Sequence, residues 1–159
     1  MNAESVYLFL HALLRDAAYK LQLPGDRGRL HAATLAILEE LAGGRPRELP
    51  ALDAVETRKP GPHPTDPIAR ELAHHAHLAL AAFGPVAGSS QVRKLEQVQR
   101  LYLRRAAEFA ELCYQYESAA TSWMRLADLS VRAERGESLR RAADAARKFA
   151  PSQGAERLF

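Results

Sequence analysis

Residues 103–110 read LRRAAEFA and residues 139–146 read LRRAADAA, so the chain matches itself at an offset of 36 residues. Two further pairs of residues share that offset: Ala119 with Ala155, and Trp123 with Phe159. A period in the mid-thirties is typical of solenoids built from helix-turn-helix units. Two helices rich in Ala and Arg can match by chance, but here both helices of the repeated unit agree in phase.

The residue types of this repeat suit two closely packed helices. The small side chains of Ala107 and Ala119 would let antiparallel helices approach each other, and Trp123 would fill the space beside the next pair. A helix pair of this kind leaves one apolar face uncovered, so a neighbouring pair must stack on it. The sequence therefore predicts an all-α fold of antiparallel helix pairs stacked in an array.

Residues 103–131 resemble a tetratricopeptide repeat, because the two alanines and the tryptophan just named occupy the small, small and aromatic positions of that family. The match is divergent, since Leu126 stands where the family usually has Ala and Ala110 where it often has Tyr. The period of 36 residues also differs from the usual period of about 34. The resemblance implies a tetratricopeptide-like array that binds a protein or a peptide.

The front of the chain resembles part of the large bacterial signalling ATPases of the STAND class. The similar residues are FLHALLRDAAY at 9–19, RLH at 29–31 and LAHH at 72–75. In that family the segment follows the ATPase and winged-helix modules, so the resemblance implies a sensor or scaffold arm that is one fragment of a longer protein. The sequence contains no G-x-x-x-x-G-K-[ST] motif, so we expect no phosphate-binding loop within it.

Apolar residues at three- and four-residue spacing, interrupted by Gly and Pro, predict about six helices and a truncated seventh. Their approximate bounds are residues 5–21, 27–41, 66–83, 91–114, 117–131 and 138–149, and the seventh begins at Gln153. The apolar face predicted for the second helix consists of Leu30, Ala33, Ile37, Leu38 and Leu41.

Five prolines fall within residues 45–65. Proline removes a backbone donor and restricts the residue before it, so this segment cannot form one regular helix. We interpret it as an extended loop that is ordered in part through Leu49, Leu52 and Val55. The predicted organisation is an N-terminal helix pair over residues 1–44, this proline-rich loop, and tetratricopeptide-like repeats over residues 66–159.

The chain has 159 residues and a formal net charge of +3. Its positive excess lies in residues 90–159, which hold 13 Lys and Arg against 9 Asp and Glu. Acids are interleaved with those bases, whereas a nucleic-acid-binding protein usually clusters its bases on one face. No run of about 20 uncharged residues occurs, so we expect no membrane span. Nucleic acid and membrane are therefore disfavoured as partners.

Cys113 is the only cysteine, which excludes an internal disulfide and fits a reducing compartment. The start of the chain lacks a secretory signal, so we expect a cytoplasmic protein. We interpret Cys113 as a small buried residue on a helix. No G-x-S-x-G motif is present. The sequence therefore predicts a protein that is not an enzyme and carries no cofactor.

Three histidines, His74, His75 and His77, form the one cluster that resembles a metal site. His74 and His77 share a helical face, and Glu71 is the nearest possible third ligand. On a helix, however, Glu71 and His77 point about 120° apart, so the three side chains cannot converge on one ion. We therefore predict a solvated or capping role for the histidines and no bound metal.

The first helix of each predicted pair would form the concave face of the array. That face would carry Leu101, Arg104, Glu108, Glu111, Leu112, Glu137, Arg140, Asp144, Arg147 and Lys148. Arginine binds carboxylates through two parallel hydrogen bonds, so such a face suits an extended or carboxylate-bearing peptide. Two alternatives stay open: self-assembly through an apolar edge at the end of the array, and a nucleic-acid-binding regulator.

Overall fold

A computed structural model describes residues 13–14, 16–17, 19–52, 54, 61–83 and 90–155. Five α-helices are α1 (Pro24–Leu41), α2 (Ala69–Phe83), α3 (Ser90–Leu112), α4 (Tyr116–Leu129) and α5 (Arg132–Ala155). A 3-10 turn, Asp66–Ile68, precedes α2, and residues 13–14, 16–17 and 19–21 are also helical. These described residues contain no β-strand, so the prediction of an all-α fold is confirmed.

Most helices lie close to their predicted bounds, and the largest difference is at α5. This helix begins at Arg132 rather than near Ser138, and it continues through Pro151 to Ala155. Proline removes one helical hydrogen bond, but its fixed φ is compatible with a helix, and the helix continues past Pro151. The seventh helix predicted from Gln153 is therefore wrong over residues 153–155, which belong to α5. Residues 156–159, and most of the predicted first helix, lie outside the described residues.

Consecutive helices pack against each other and run antiparallel. Along α1, Gly28 lies against Phe83 and His31 against His75, so the contacting residues of α2 run backwards. The same reversal relates α2, with its preceding turn, to α3, because His77 lies near Gln99 and Asp66 near Arg105. It also relates α4 to α5, because Tyr116 lies near Lys148 and Trp123 near Arg141. A three-residue connection joins α3 to α4. It follows that α1, α3 and α5 run in one direction and α2 and α4 in the other.

The central helix α3 contributes most to the core, because it packs against α2 on one side and α4 on the other. Tyr102 and Ala107 of α3 are fully buried, as are Ala119 and Trp123 of α4. The indole N–H of Trp123 donates to Glu111 at 2.9 Å, and the guanidinium of Arg141 from α5 lies over the indole ring. Trp123 thus joins three helices.

The two copies of the sequence repeat have different surroundings. Leu103 and Ala107 of α3 are 4% and 0% exposed, whereas their matches on α5, Leu139 and Ala143, are both exposed. Among the described residues, α3 has helices on both sides, while α5 has its main contact on one side only, with α4. The repeated residue types are therefore the same, but the second copy leaves an uncovered face.

The buried face of α1 differs from the prediction. Leu35 and Glu39 are buried, whereas Leu30, Ile37 and Leu41 are exposed, as is Ala33; Leu38 is half-buried. Apolar residues occur all round this helix, so their spacing did not define one face, and the contact with α2 and α3 decides it.

A buried carboxylate ties α1 to α3. The guanidinium of Arg45 donates two hydrogen bonds of 2.7 Å to Glu39, and the hydroxyl of Tyr102 donates a third at 2.8 Å. Burial, followed by the bond to Glu39, raises the pKa of Tyr102 above its ordinary range. Leu52 of the proline-rich segment is also buried, while Val55 lies outside the described residues.

Candidate functional site

A groove with a volume of about 760 Å³ lies between α2 and α4, with α3 as its floor. We call it the α2–α4 groove. Its polar wall residues are Arg70, His74 and His77 on α2 and Glu117, Ser118, Thr121, Ser122, Arg125 and Asp128 on α4. Gln99 and Leu103 of α3 form the floor. Two helices that run in the same direction thus flank a polar channel.

The charged groups of this groove are available to a ligand. Arg70, Glu117, Arg125 and Asp128 are exposed, and their side chains form no ion pair or hydrogen bond within the described part of the chain. Since these charges have not been neutralised by one another, a partner that pairs with them displaces water rather than an existing bond. Both signs of charge are present, so the groove suits a polar, zwitterionic ligand such as a peptide.

The floor of the groove contains a buried amide. Gln99 is 8% exposed, and its Nε2 lies 3.3 Å from His77 Nδ1. A neutral imidazole nitrogen can accept from that amide. The side-chain amide of Gln99 offers the same donor and acceptor pair as a peptide bond, so it can pair with the backbone of an extended chain.

The residues predicted for the concave face lie on the other side of α3. Leu101 and Arg104 are buried there. Arg104 donates to the backbone oxygen of Pro50 and pairs with Glu108 at 3.0 Å, so the proline-rich segment covers this end of the face. Glu111 accepts from Trp123.

The α5 residues of that face pair mainly with one another. Arg140 donates to Glu137 at 2.7–2.8 Å and to Asp144 at 2.7 Å, and Arg147 also pairs with Asp144. Lys148 lies over the ring of Tyr116. The bond from Arg140 lowers the pKa of Glu137 to about 2. Leu112, the apolar residue at the end of α3, is exposed. A ligand that used Arg140 would have to replace two carboxylates already bound to it.

The three clustered histidines point to two different places in the structure. His74 and His77 line the α2–α4 groove, whereas His75 points toward α1. Glu71 lies 4.0 Å from His75 Nε2 and is not shared with His77. No group of three or more His, Cys, Asp or Glu able to hold a metal ion occurs in the part of the chain that the structure describes.

Cys113 corrects another prediction. It lies in the turn after α3 and is exposed rather than buried. The reason is that the packed face of α3 ends at Ala110, before the helix itself ends at Leu112.

Sequence reasoning missed the α2–α4 groove as a surface. Its residues belong to α2 and α4, whose polar positions look like ordinary solvated faces when each helix is considered alone. One signal was present: the short polar residues Ser118, Thr121 and Ser122 lie together on α4 and leave room beside it.

No protein-family model, curated protein or solved structure matches this chain. Within the described residues, no helix has the length and apolar character that crossing a bilayer requires.

Proposed function

We propose that this chain is a protein- or peptide-binding module of tetratricopeptide-like helix pairs that receives its partner in the α2–α4 groove. We further propose that it serves as the sensor or scaffold arm of a larger bacterial signalling protein, as the resemblance of residues 9–19 and 72–75 to STAND-class ATPases implies. The module acts by binding and carries out no reaction of its own.

The order and burial of the helices support the repeat part of this proposal. Ala107, Ala119 and Trp123, the residues at the small, small and aromatic positions, are all 0% exposed. Arg100 of α3 pairs with Glu134 of α5, 34 residues further along the chain. The first helices of the two predicted units therefore contact each other.

The observation that best supports binding is the set of unpaired charges in the α2–α4 groove. Ion pairs already satisfy Arg140 and Arg147, the arginines of the predicted face on α5, whereas Arg70, Arg125 and Asp128 have no such partners in the described chain. Pairing with a ligand at the groove therefore adds interactions without breaking others. This favours the groove over the face predicted from the sequence.

The test is selection of peptides from a random displayed library on the immobilised chain, followed by affinity measurement of one selected peptide. We expect Thr121→Trp to weaken that peptide by about tenfold or more, because an indole placed there fills the groove. The matched control is Met124→Trp, which adds the same ring at an exposed position of α4 outside the groove. If no peptide is selected, or if both variants bind equally, the groove is not the binding site.

A second candidate function, self-assembly, is favoured by an exposed apolar stripe on α1. Leu23, just before the helix, and Leu30, Ile37 and Leu41 are 70%, 49%, 56% and 79% exposed. Their spacing of seven, seven and four residues places them on one side of α1, as in the seam of a coiled coil. This stripe is separate from the α2–α4 groove, so the two functions can be tested independently.

A further inference from the structure

Three side chains from three helical segments meet in a hydrogen-bonded chain between α1 and α2, and a carboxylate lies near its end. Tyr19 Oη lies 2.9 Å from His31 Nε2, and His31 Nδ1 lies 3.0 Å from His75 Nδ1. At the far end, His75 Nε2 is 4.0 Å from a carboxylate oxygen of Glu71. We call these four residues the histidine clasp. It connects the helical residues 19–21 to α1, and α1 to α2.

Only one proton fits between the two facing Nδ1 atoms. A hydrogen bond between ring nitrogens needs one N–H and one lone pair, so at least one imidazole must be neutral. When His31 Nδ1–H donates to His75, the outer nitrogen of His31 accepts from the Tyr19 hydroxyl and that of His75 directs its N–H toward Glu71. If both rings are protonated, two Nδ1–H groups face each other and the two positive rings repel.

The charges around the clasp oppose the second proton. Arg27 of α1 lies over the ring of Tyr19, and the ring of His74 is 6.3 Å from that of His75. The carboxylate of Glu71 lies beside the clasp, but its side chain is 58% exposed, so solvent screens it.

Burial lowers the pKa of both clasp histidines. For His31 the further causes are the charges of His75, His74 and Arg27, and all of them also lower the pKa. For His75, the carboxylate of Glu71 partly offsets the effect of burial, and His74 adds to it.

We propose that the histidine clasp is a pH-sensitive switch that holds the first half of α1 against α2 near neutral pH and releases it in mildly acidic solution. The second half of α1 stays attached, because Glu39 binds Arg45 and Tyr102 independently of the clasp. Acid therefore opens one end of α1 and leaves α3, α4 and α5 packed.

The direction of the pH effect follows from proton binding. The pKa of each clasp histidine is below its ordinary value of 6.5 while α1 is attached, so the detached state binds more protons below that pH. The stabilisation from the clasp is therefore fully present above pH 6.5 and is lost as the pH falls through the lowered pKa values.

Hydrogen exchange detected by mass spectrometry tests this switch at about pH 7.5 and about pH 5.5, with rates corrected for the intrinsic effect of pH. We expect peptides from residues 24–33 to exchange about threefold or more faster at the lower pH, and peptides from α3 and α4 to stay unchanged. The fluorescence of Trp123, the only tryptophan, should also stay constant, because it lies in the part that remains packed.

Two variants locate the effect in the clasp. His31→Gln and His75→Gln each leave one imidazole, so either variant should lose most of the acceleration, and circular dichroism checks that each is folded. The matched control His74→Gln removes a neighbouring histidine outside the clasp, and it should keep most of the acceleration because burial, not His74, is the largest cause of the lowered pKa values. An unchanged acid response in both clasp variants, or none in the original chain, would overturn the proposal. Neither result bears on the groove, which the proposal does not use.

Discussion

The carboxylate of Glu39 is a charged group inside an otherwise apolar contact between α1 and α3. It is 6% exposed and accepts three hydrogen bonds, two from Arg45 and one from Tyr102. A buried charge of this kind is tolerated only when it is paired and hydrogen-bonded. Removing one of these partners should therefore lower the free energy of unfolding by an amount that depends on which buried group is left without a hydrogen bond.

We expect Glu39→Ala to lower the free energy of unfolding by about 2–3 kcal/mol, because it leaves the buried Tyr102 hydroxyl without an acceptor and opens a cavity. Tyr102→Phe removes a single hydrogen bond and should cost about 1 kcal/mol. Urea denaturation followed by circular dichroism measures both values. Glu40→Ala is the matched control, since Glu40 is the exposed neighbour and should change stability by less than about 0.5 kcal/mol. Equal losses for Glu39→Ala and Glu40→Ala would contradict this account.

The sequence could not predict the buried role of Glu39. A glutamate on a helix is normally assigned to solvent, and its partners are six and 63 residues away. By contrast, Ala107, Ala119 and Trp123 were predicted to be packed from their size and spacing, and all three are buried. Size complementarity is visible in a local repeat, whereas a hydrogen-bond partner depends on where distant segments meet.

Two helical glycines of the elements α1 and α5 differ in what surrounds them. A Cβ atom built on Gly136 of α5 has no heavy atom within 4 Å, whereas one built on Gly28 of α1 would lie 2.9 Å from the ring of Phe83. Glycine in a helix costs conformational entropy relative to alanine in both places. Only at Gly28 does close packing oppose the gain from replacing it.

We expect Gly136→Ala to raise the free energy of unfolding by about 0.5–1 kcal/mol, the usual difference in helix propensity. Gly28→Ala should lower it by about 1 kcal/mol, since the methyl group must push Phe83 away from α1. Thermal denaturation of the two single variants checks the opposite signs. A stabilising effect of both substitutions would show that Phe83 moves at no cost.

At the scale of a single element, the presence and bounds of a helix were easier to predict than which of its sides is buried. The bounds of α2, α3 and α4 agree with the predicted helices to within a few residues, because Gly, Pro and polar turns mark their ends. The buried face of α1 was predicted incorrectly, since Leu30, Ile37 and Leu41 lie on one side of the helix and Leu35 on the other, and local spacing cannot choose between two apolar sides. Contacts with other helices make that choice.

For the molecule as a whole, the exposed stripe on α1 determines what self-assembly would require. The second candidate function predicts that sedimentation velocity detects a dimer whose fraction rises with protein concentration. Ile37→Glu should abolish that dimer, because a carboxylate would be buried in the seam. The matched control Ala36→Glu places the same charge at an adjacent exposed position of α1 and should leave the dimer intact. A monomer at every concentration would exclude self-assembly through this stripe.

The α2–α4 groove illustrates what only the complete fold supplies. Its wall residues lie on helices that are separated in sequence by the whole of α3. The sequence repeat predicted helix pairs and drew attention to the first helix of each pair. It did not indicate that residues 48–50 cover part of that face, because their contact with Arg104 spans 54 residues.

The order of packing, in which each helix contacts mainly the helices before and after it, has a mechanical consequence. A force applied to the two ends of such an array is transmitted through one junction after another. The junction around Trp123 is reinforced by a fully buried indole that contacts three helices, whereas α2 buries mostly alanine. Under tension the junction between α1 and α2 should therefore yield before the junction around Trp123, so the array would lengthen in steps.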